Sequence, residues 1–116
     1  VLRLQRVRSR AGVPVAHLVG QVRLDLAPGL EDADFAQRRL FDVLETDHGL
    51  VIVSGRRTFD AVLAGPENAE LLDIDPAAPL LHLEQLTRLG DGTPVELSQV
   101  WLRSDRLRIS SELTRS

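Results

Sequence analysis

The sequence predicts an α+β domain built on an antiparallel sheet, and three observations carry the prediction. Apolar and polar residues alternate over several stretches of strand length. Two pairs of these stretches are folded back by turns rich in glycine and proline, as antiparallel neighbours require. Only two short segments show helical spacing, and both lie between strand-like segments rather than in regular βαβ alternation.

The elements follow in order. Val1–Arg8 alternates, with Leu2, Leu4, Arg6 and Arg8 on one face and Val1, Arg3, Gln5 and Val7 on the other, which predicts a strand. Ala11-Gly12 supplies a turn, and Pro14–Leu24 reads as a second strand paired back on the first. Asp25–Asp34, with Pro28-Gly29 and its acids, reads as a loop leading to a helix. In that helix Phe35, Leu40, Phe41 and Leu44 share a side, Asp32 or Asp34 caps the start, and Gly49 ends it. Leu50–Val53 is an apolar, β-rich run that continues irregularly to about Ala61. A second helix starts near Pro66 and Glu67, uses Ala69, Leu71 and Leu72 as its apolar side, and is broken by Asp75-Pro76-Ala77-Ala78-Pro79. Leu80–Leu89 and Pro94–Arg103 flank Gly90-Asp91-Gly92-Thr93, a strong hairpin signal. Leu107 and Ile109 suggest one last short strand, giving five or six in all.

One internal echo stands out. Arg8, Gly12, Pro14 and Val15 recur as Arg88, Gly92, Pro94 and Val95, each set at a predicted hairpin turn, and Arg23 corresponds to Arg103. The echo predicts two related hairpins joined in one sheet with a cleft between them.

Composition bounds the function. At 116 residues, 43% of them hydrophobic, the chain suits one globular domain and is too apolar for a disordered one. A chain of this size buries roughly 65% of its unfolded surface, enough for one core. No apolar run approaches the ~18 residues that span a membrane, and no signal-peptide pattern opens the chain. With no cysteine it is neither a disulfide scaffold nor a zinc ribbon nor a thiol enzyme, and a cytoplasmic setting fits. Fourteen basic residues, all arginine, face seventeen acidic ones for a net charge of −3, a poor balance for holding DNA unaided.

The residues argue for binding more than for catalysis. His17, His48 and His82 have no metal-ligand spacing, and no nucleophile elbow, P-loop or other phosphate loop occurs. His48 fits a helix C-terminus, and His17 fits a partly buried, hydrogen-bonded strand position. Arg6 and Arg8 share a strand face with two leucines, so they need partners. Those partners are either acidic side chains of the fold or an anionic ligand in a cleft. Glu96, on a face with Ser98, Val100 and Leu102, is likewise either an arginine's structural partner or a ligand contact. Arg38-Arg39 forms no basic patch, and Asp105-Arg106 reads as a structural turn bridge.

Taken together, these segments resemble the UTRA domain, the effector-sensing half of GntR-type transcriptional regulators of the HutC subfamily. The resemblance rests on Gln5-Arg6-Val7-Arg8 with Gly12-Val13-Pro14-Val15, and on Arg39-Leu40-Phe41-Asp42-Val43-Leu44-Glu45 running to His48-Gly49-Leu50. It continues through Glu70-Leu71-Leu72-Asp73-Ile74 with Pro79-Leu80-Leu81, and ends on Asp91-Gly92-Thr93-Pro94-Val95-Glu96 and Arg103-Ser104-Asp105-Arg106. It covers nearly the whole chain and implies a chorismate-lyase-like fold with a metabolite-binding cleft.

The same resemblance implies a homodimer formed through this domain and a winged helix-turn-helix that alone meets DNA and lies outside residues 1–116. It also implies that Val1 falls inside an early strand of the domain, so that the sensing unit is incomplete at its N-terminus. A cytoplasmic repressor with a small-molecule effector, no cofactor and no membrane partner is the expectation. By position the ligand contacts are Arg6, Arg8, Arg39, Phe41, Glu96 and Leu102. Of these, Arg6, Arg8 and Glu96 keep the family's usual chemistry. Leu18 replaces a frequent carboxylate, Arg39 and Phe41 replace a serine and a tyrosine, and Leu102 replaces a tyrosine, which favours a less hydroxylated anion. A chorismate-lyase-type enzyme and a dimerisation module with a degenerate pocket are the alternatives.

Overall fold

The structure is a computed structural model that describes residues 1–35 and 37–114. Its elements are β1 (Leu2–Arg10), β2 (Val13–Val22), α1 (Leu40–His48), β3 (Ser54–Leu63), α2 (Gly65–Leu72), β4 (Pro79–Arg88) and β5 (Pro94–Leu102), with a 3-10 turn at Leu30–Asp32. The strands form one sheet in the order β1-β2-β5-β4-β3, every neighbour antiparallel. Ala11 at φ 52° and Gly12 at φ 78° give the first hairpin the two positive-φ positions of a tight turn. In the second, Asp91 Oδ1 accepts the Thr93 N–H at 2.9 Å and Gly92 takes φ 87°.

Antiparallel partners share a sheet face, so the registers sort the side chains into two layers. Leu2, Leu4, Arg6 and Arg8 stand with Val22, Gly20, Leu18 and Ala16, and these with Glu96, Ser98, Val100 and Leu102. Thr87, Gln85, Leu83 and Leu81 continue this first face, and Gly55, Arg57, Phe59 and Ala61 finish it on β3. Helix α1 and the segment before it cover one end of this face. Val43 and Leu44 are fully buried there with Val22, Ala27, Leu30 and Val95, while Leu2 and Leu40 pack around them. The spacing of Leu40, Val43 and Leu44 gives α1 its apolar stripe. Gly49 at φ 65° ends the helix, and the Leu50 N–H returns to the Leu44 carbonyl at 2.9 Å.

Helix α2 covers the opposite face, where Leu72 is buried with Ala64 and Leu80 against Val62 and Trp101. His17, 2% exposed, is clamped between layers. Arg3 donates to Gln5 Oε1 at 3.0 Å, which turns the Gln5 amide N–H toward His17 Nε2 at 3.1 Å. That nitrogen must accept, so the His17 proton sits on Nδ1 and is donated to Asn68 Oδ1 of α2 at 2.7 Å. Trp101 lies between His17 and His82, ring centres 5.0 Å from each. Replacing Asn68 by alanine is expected to cost about 1–2 kcal/mol, because it leaves a buried imidazole N–H without its acceptor. Urea unfolding of N68A measures that loss.

The two hairpins are related by a pseudo-twofold axis. Adding 80 carries β2 onto β5, and adding 79 carries β1 onto β4, with every pairing from Leu2↔Val22 to Ser9↔Pro14 preserved. Each hairpin shifts register at the equivalent point, Arg8/Ser9 and Thr87/Arg88. The Arg23 N–H bonds to the Val95 carbonyl and the Arg103 N–H to the Val15 carbonyl, at 3.2 and 2.9 Å. Each of these arginines pairs with the aspartate two residues on, Asp25 or Asp105. The arginines of the sequence echo, however, are not equivalent. The second loop is one residue longer, so Arg8 corresponds to Thr87 and Arg88 to Ser9.

Four expectations are corrected. The helix starts at Leu40 with Arg39 at its N-cap, not near Phe35, and neither Asp32 nor Asp34 caps it. Burial of Leu30 and Ala27 lays the preceding segment across the sheet, and Ala33 is extended at ψ 146°, so no helix propagates through it. The apolar run Leu50–Val53 is a connection whose Leu50 and Ile52 pack on the core, and the strand begins only at Ser54. Residues 107–114 form no strand, because a turn with the Arg106 and Leu107 N–H groups on the Arg103 carbonyl leads the chain off the sheet. Asp105 pairs with Arg103 at 2.8 Å rather than with Arg106.

Candidate functional site

Beneath the N-terminal end of α1 the first sheet face holds a cavity of about 140 Å³. Its walls straddle the pseudo-twofold axis. Leu4 and Leu83, Arg6 and Gln85, Leu18 and Ser98, Gly20 and Val100, and Val19 and Gln99 line it as equivalent pairs. Leu40 roofs it and Glu96 closes one end. The space exists because Gly20 carries no side chain at its centre, where an added Cβ would meet nothing within 4 Å. A second, open cleft of about 530 Å³ adjoins it along β4 and β3, walled by Phe41, Ile52, Val53, Gly55, Arg57 and Thr87. Gln85 lines both. Gly55 is required there by close approach, since a Cβ would lie 2.8 Å from the Leu86 carbonyl oxygen.

Glu96 is only 3% exposed. Thr87 Oγ1 donates to its Oε2 at 3.0 Å. Burial pushes the carboxyl up to about 7, and the threonine bond opposes this without cancelling it. A carboxyl that holds its proton close to neutrality in a cleft can donate or accept a hydrogen bond, which suits a binding site. The sequence left open whether Glu96 serves an arginine; its side-chain partner is Thr87. Among the described residues Arg6, Arg8, Arg39 and Arg57 form no ion pair, whereas Arg38 is taken by Asp47 at 2.6 Å. Thus the alternative in which Arg6 and Arg8 meet acidic side chains of the fold is not what the structure has.

The structure brings some of the sequence-derived site residues together and separates others. Arg6 and Glu96 line the same cavity. Phe41 lines the adjoining cleft and is 39% exposed. Arg8 and Leu102 share a cross-strand row through Ala16, one row beyond Arg6 and away from Glu96, and line neither space. Arg39 is exposed at the helix N-cap, next to the roofing Leu40. Gly20, Gln85, Thr87 and Arg57 were not foreseen. A glycine inside a predicted strand was the one available signal, for Gly20. No histidine lines either space, and no group of three or more His, Asp or Glu able to hold a metal ion occurs among the described residues. Among the described residues no helix is long and apolar enough to cross a membrane.

Comparison with known proteins agrees with this architecture. The UTRA domain family matches residues 1–108. The HTH-type transcriptional repressor NagR of Bacillus subtilis (strain 168) is 28% identical over 104 residues, which are 90% of this chain and 42% of that protein. The chain therefore spans less than half the length of this curated relative. A crystal structure of a candidate regulator from Escherichia coli CFT073 is 35% identical and superposes with a TM-score of 0.79, covering 86% of this chain and 73% of its own. The C-terminal domain of the histidine utilization repressor from Pseudomonas syringae pv. tomato str. DC3000 shares the fold, with a TM-score of 0.86 at 23% identity over 97% of this chain and 78% of its own. The five-stranded antiparallel sheet with two helices is the chorismate-lyase-like fold of GntR-regulator C-terminal domains. The chain belongs to the UTRA domain family.

Proposed function

We propose that this domain is the effector-sensing and dimerisation half of a cytoplasmic GntR-type repressor of the HutC subfamily, and that its axial cavity binds a small acidic metabolite. The observation that carries the reading is the pairing in one cavity of Arg6, which has no counter-ion among the described residues, with the buried carboxyl of Glu96. Arg6 supplies two parallel N–H donors to an acid, and Glu96 in its protonated form donates to the same ligand instead of repelling it. Phe41 and Leu40 cover the ligand from α1. Arg39 and Arg8 add positive potential at the rim, and Leu102 closes the far end of the face. DNA is read by a separate N-terminal domain, which accords with the net charge of −3 here. The effector acts by binding one dimer arrangement better than another, which is all that allostery requires. Its function is regulatory rather than enzymatic.

A cavity plug tests this. Gly20→Val places a side chain into open space without backbone strain, so the fold is expected to survive while binding is lost. Isothermal titration calorimetry of this chain against a panel of acidic metabolites is expected to find a ligand that G20V abolishes. Arg6→Gln is expected to weaken that ligand about tenfold or more, the usual weight of a charge-assisted hydrogen bond. A ligand indifferent to both replacements, or no ligand at all, would overturn the assignment.

A further inference from the structure

The pseudo-twofold axis through the cavity relates Arg6 on β1 to Gln85 on β4. By sequence, then, the two sides of the cavity differ by one positive charge. The structure restores it from outside the pair. Arg57 of β3 stands beside Gln85 on the same face and donates from Nε to Gln85 Oε1 at 2.7 Å, which draws its guanidinium inward over β4. Its two terminal nitrogens make no ion pair or hydrogen bond within the described residues. Arg57 also walls the open cleft, and Gln85, the residue it touches, lines both that cleft and the axial cavity. The two spaces adjoin at Gln85 and together form a trough across the sheet, with Arg6 on one side, Arg57 on the other and apolar walls of Phe41, Ile52 and Val53 along its wider part. The Cα atoms of Arg6 and Arg57 are four strand spacings apart, on the order of 19 Å. Arg6 lines the axial cavity and Arg57 bonds to Gln85 of the neighbouring strand, so the gap between their charges is shorter than this and suits a small extended molecule.

We propose that Arg57 is a second anion-contacting residue and that the effector is an elongated molecule acidic at both ends, held between Arg6 and Arg57 along this trough. The proposal rests on the cavity being the effector site and adds the ligand class and the second contact. A monoacid leaves one of the two guanidinium groups unused. A diacid of matching length engages both, and one that is too short engages only one.

Calorimetry with a graded series of linear diacids (succinate, adipate, suberate, sebacate) and length-matched monoacids (hexanoate, octanoate) tests it. Adipate or a longer diacid is expected to bind the wild-type chain about tenfold or more tighter than its matched monoacid. Arg57→Gln is expected to erase the advantage of the diacid over its matched monoacid, with the thermal unfolding midpoint unmoved. Arg6→Gln is expected to weaken both series. Diacids that bind no better than monoacids, diacid binding unaffected by R57Q, or no binding in either series overturns the proposal. If R6Q abolishes binding that R57Q leaves intact, the cavity assignment stands and the role of Arg57 alone falls.

Discussion

Leu44→Ala is expected to destabilise the domain by about 3–4 kcal/mol, within the range for truncating a fully buried leucine. Leu44 has no exposed surface and sits at the centre of the cluster formed by Val22, Leu30, Val43 and Val95. Those neighbours come from β2, the segment before α1, the helix itself and β5, so the hole left by alanine is bounded by elements that cannot all move in to fill it. The backbone bond from Leu50 to the Leu44 carbonyl survives the replacement, so the loss is one of packing and not of helix termination. Urea unfolding measures it, and Glu45→Ala one residue away, on the exposed side of α1, is expected to stay within about 0.5 kcal/mol of wild type. A loss below about 1 kcal/mol for L44A would mean that α1 does not seat on the sheet as described. The consequence for function is direct. Leu40 and Phe41 roof the candidate site from the first turn of the helix that Leu44 anchors, so L44A is expected to weaken ligand binding as well as folding.

Much of this architecture was legible in the sequence because its signals are local. Ala11-Gly12 and Gly90–Thr93 set two hairpins, period-two alternation set the faces of β1 and β5, and His48-Gly49 set the end of α1. That alternation placed Arg6 on the face of Leu2 and Leu4, and Glu96 on that of Ser98 and Val100. The structure joins these into one face, since β2 pairs with both strands. What was not legible depended on distant contacts. Residues 24–39 read as a loop with a helical ending, but Ala27 and Leu30 are drawn down as the lid of a core built from β2, α1 and β5. Strand β3 is an edge strand with almost every side chain exposed, so Ser54–Leu63 lacks the apolar alternation that the buried strands show, and the apolar run before it attracted the assignment instead. Arg57 was missed for that reason. Gln85 and Thr87 were missed because β4 carries polar residues on both faces, leaving nothing in the sequence to say which face was covered.

Glu96→Gln is expected to stabilise the domain in a strictly pH-dependent way. The buried carboxyl has a folded-state pKa raised to about 7 from an ordinary value of 4.5. The folded state therefore binds this proton more tightly than the unfolded chain, and the group's effect on stability has the sign opposite to that of a salt-bridged acid. Below 4.5 both states are protonated and Glu96 carries no penalty. Between 4.5 and 7 the unfolded chain gives up its proton while the folded one keeps it, so stability falls as pH rises. Above 7 the whole penalty is present, about 3 kcal/mol at about 1.4 kcal/mol per pKa unit. Glutamine keeps an acceptor for the Thr87 hydroxyl and cannot ionise. The difference in unfolding free energy between E96Q and wild type is thus expected to be near zero at pH 4, to grow through pH 5 to 7, and to level off at about 3 kcal/mol in favour of the variant by pH 8. Taking the difference cancels the exposed aspartates paired with Arg23, Arg38 and Arg103, which titrate alike in both proteins. A flat difference would place the Glu96 carboxyl in contact with solvent. The predicted shape would instead show that the protein accepts a loss of stability above neutrality to keep an ionisable acid inside the candidate site, a cost that a purely structural residue such as glutamine avoids.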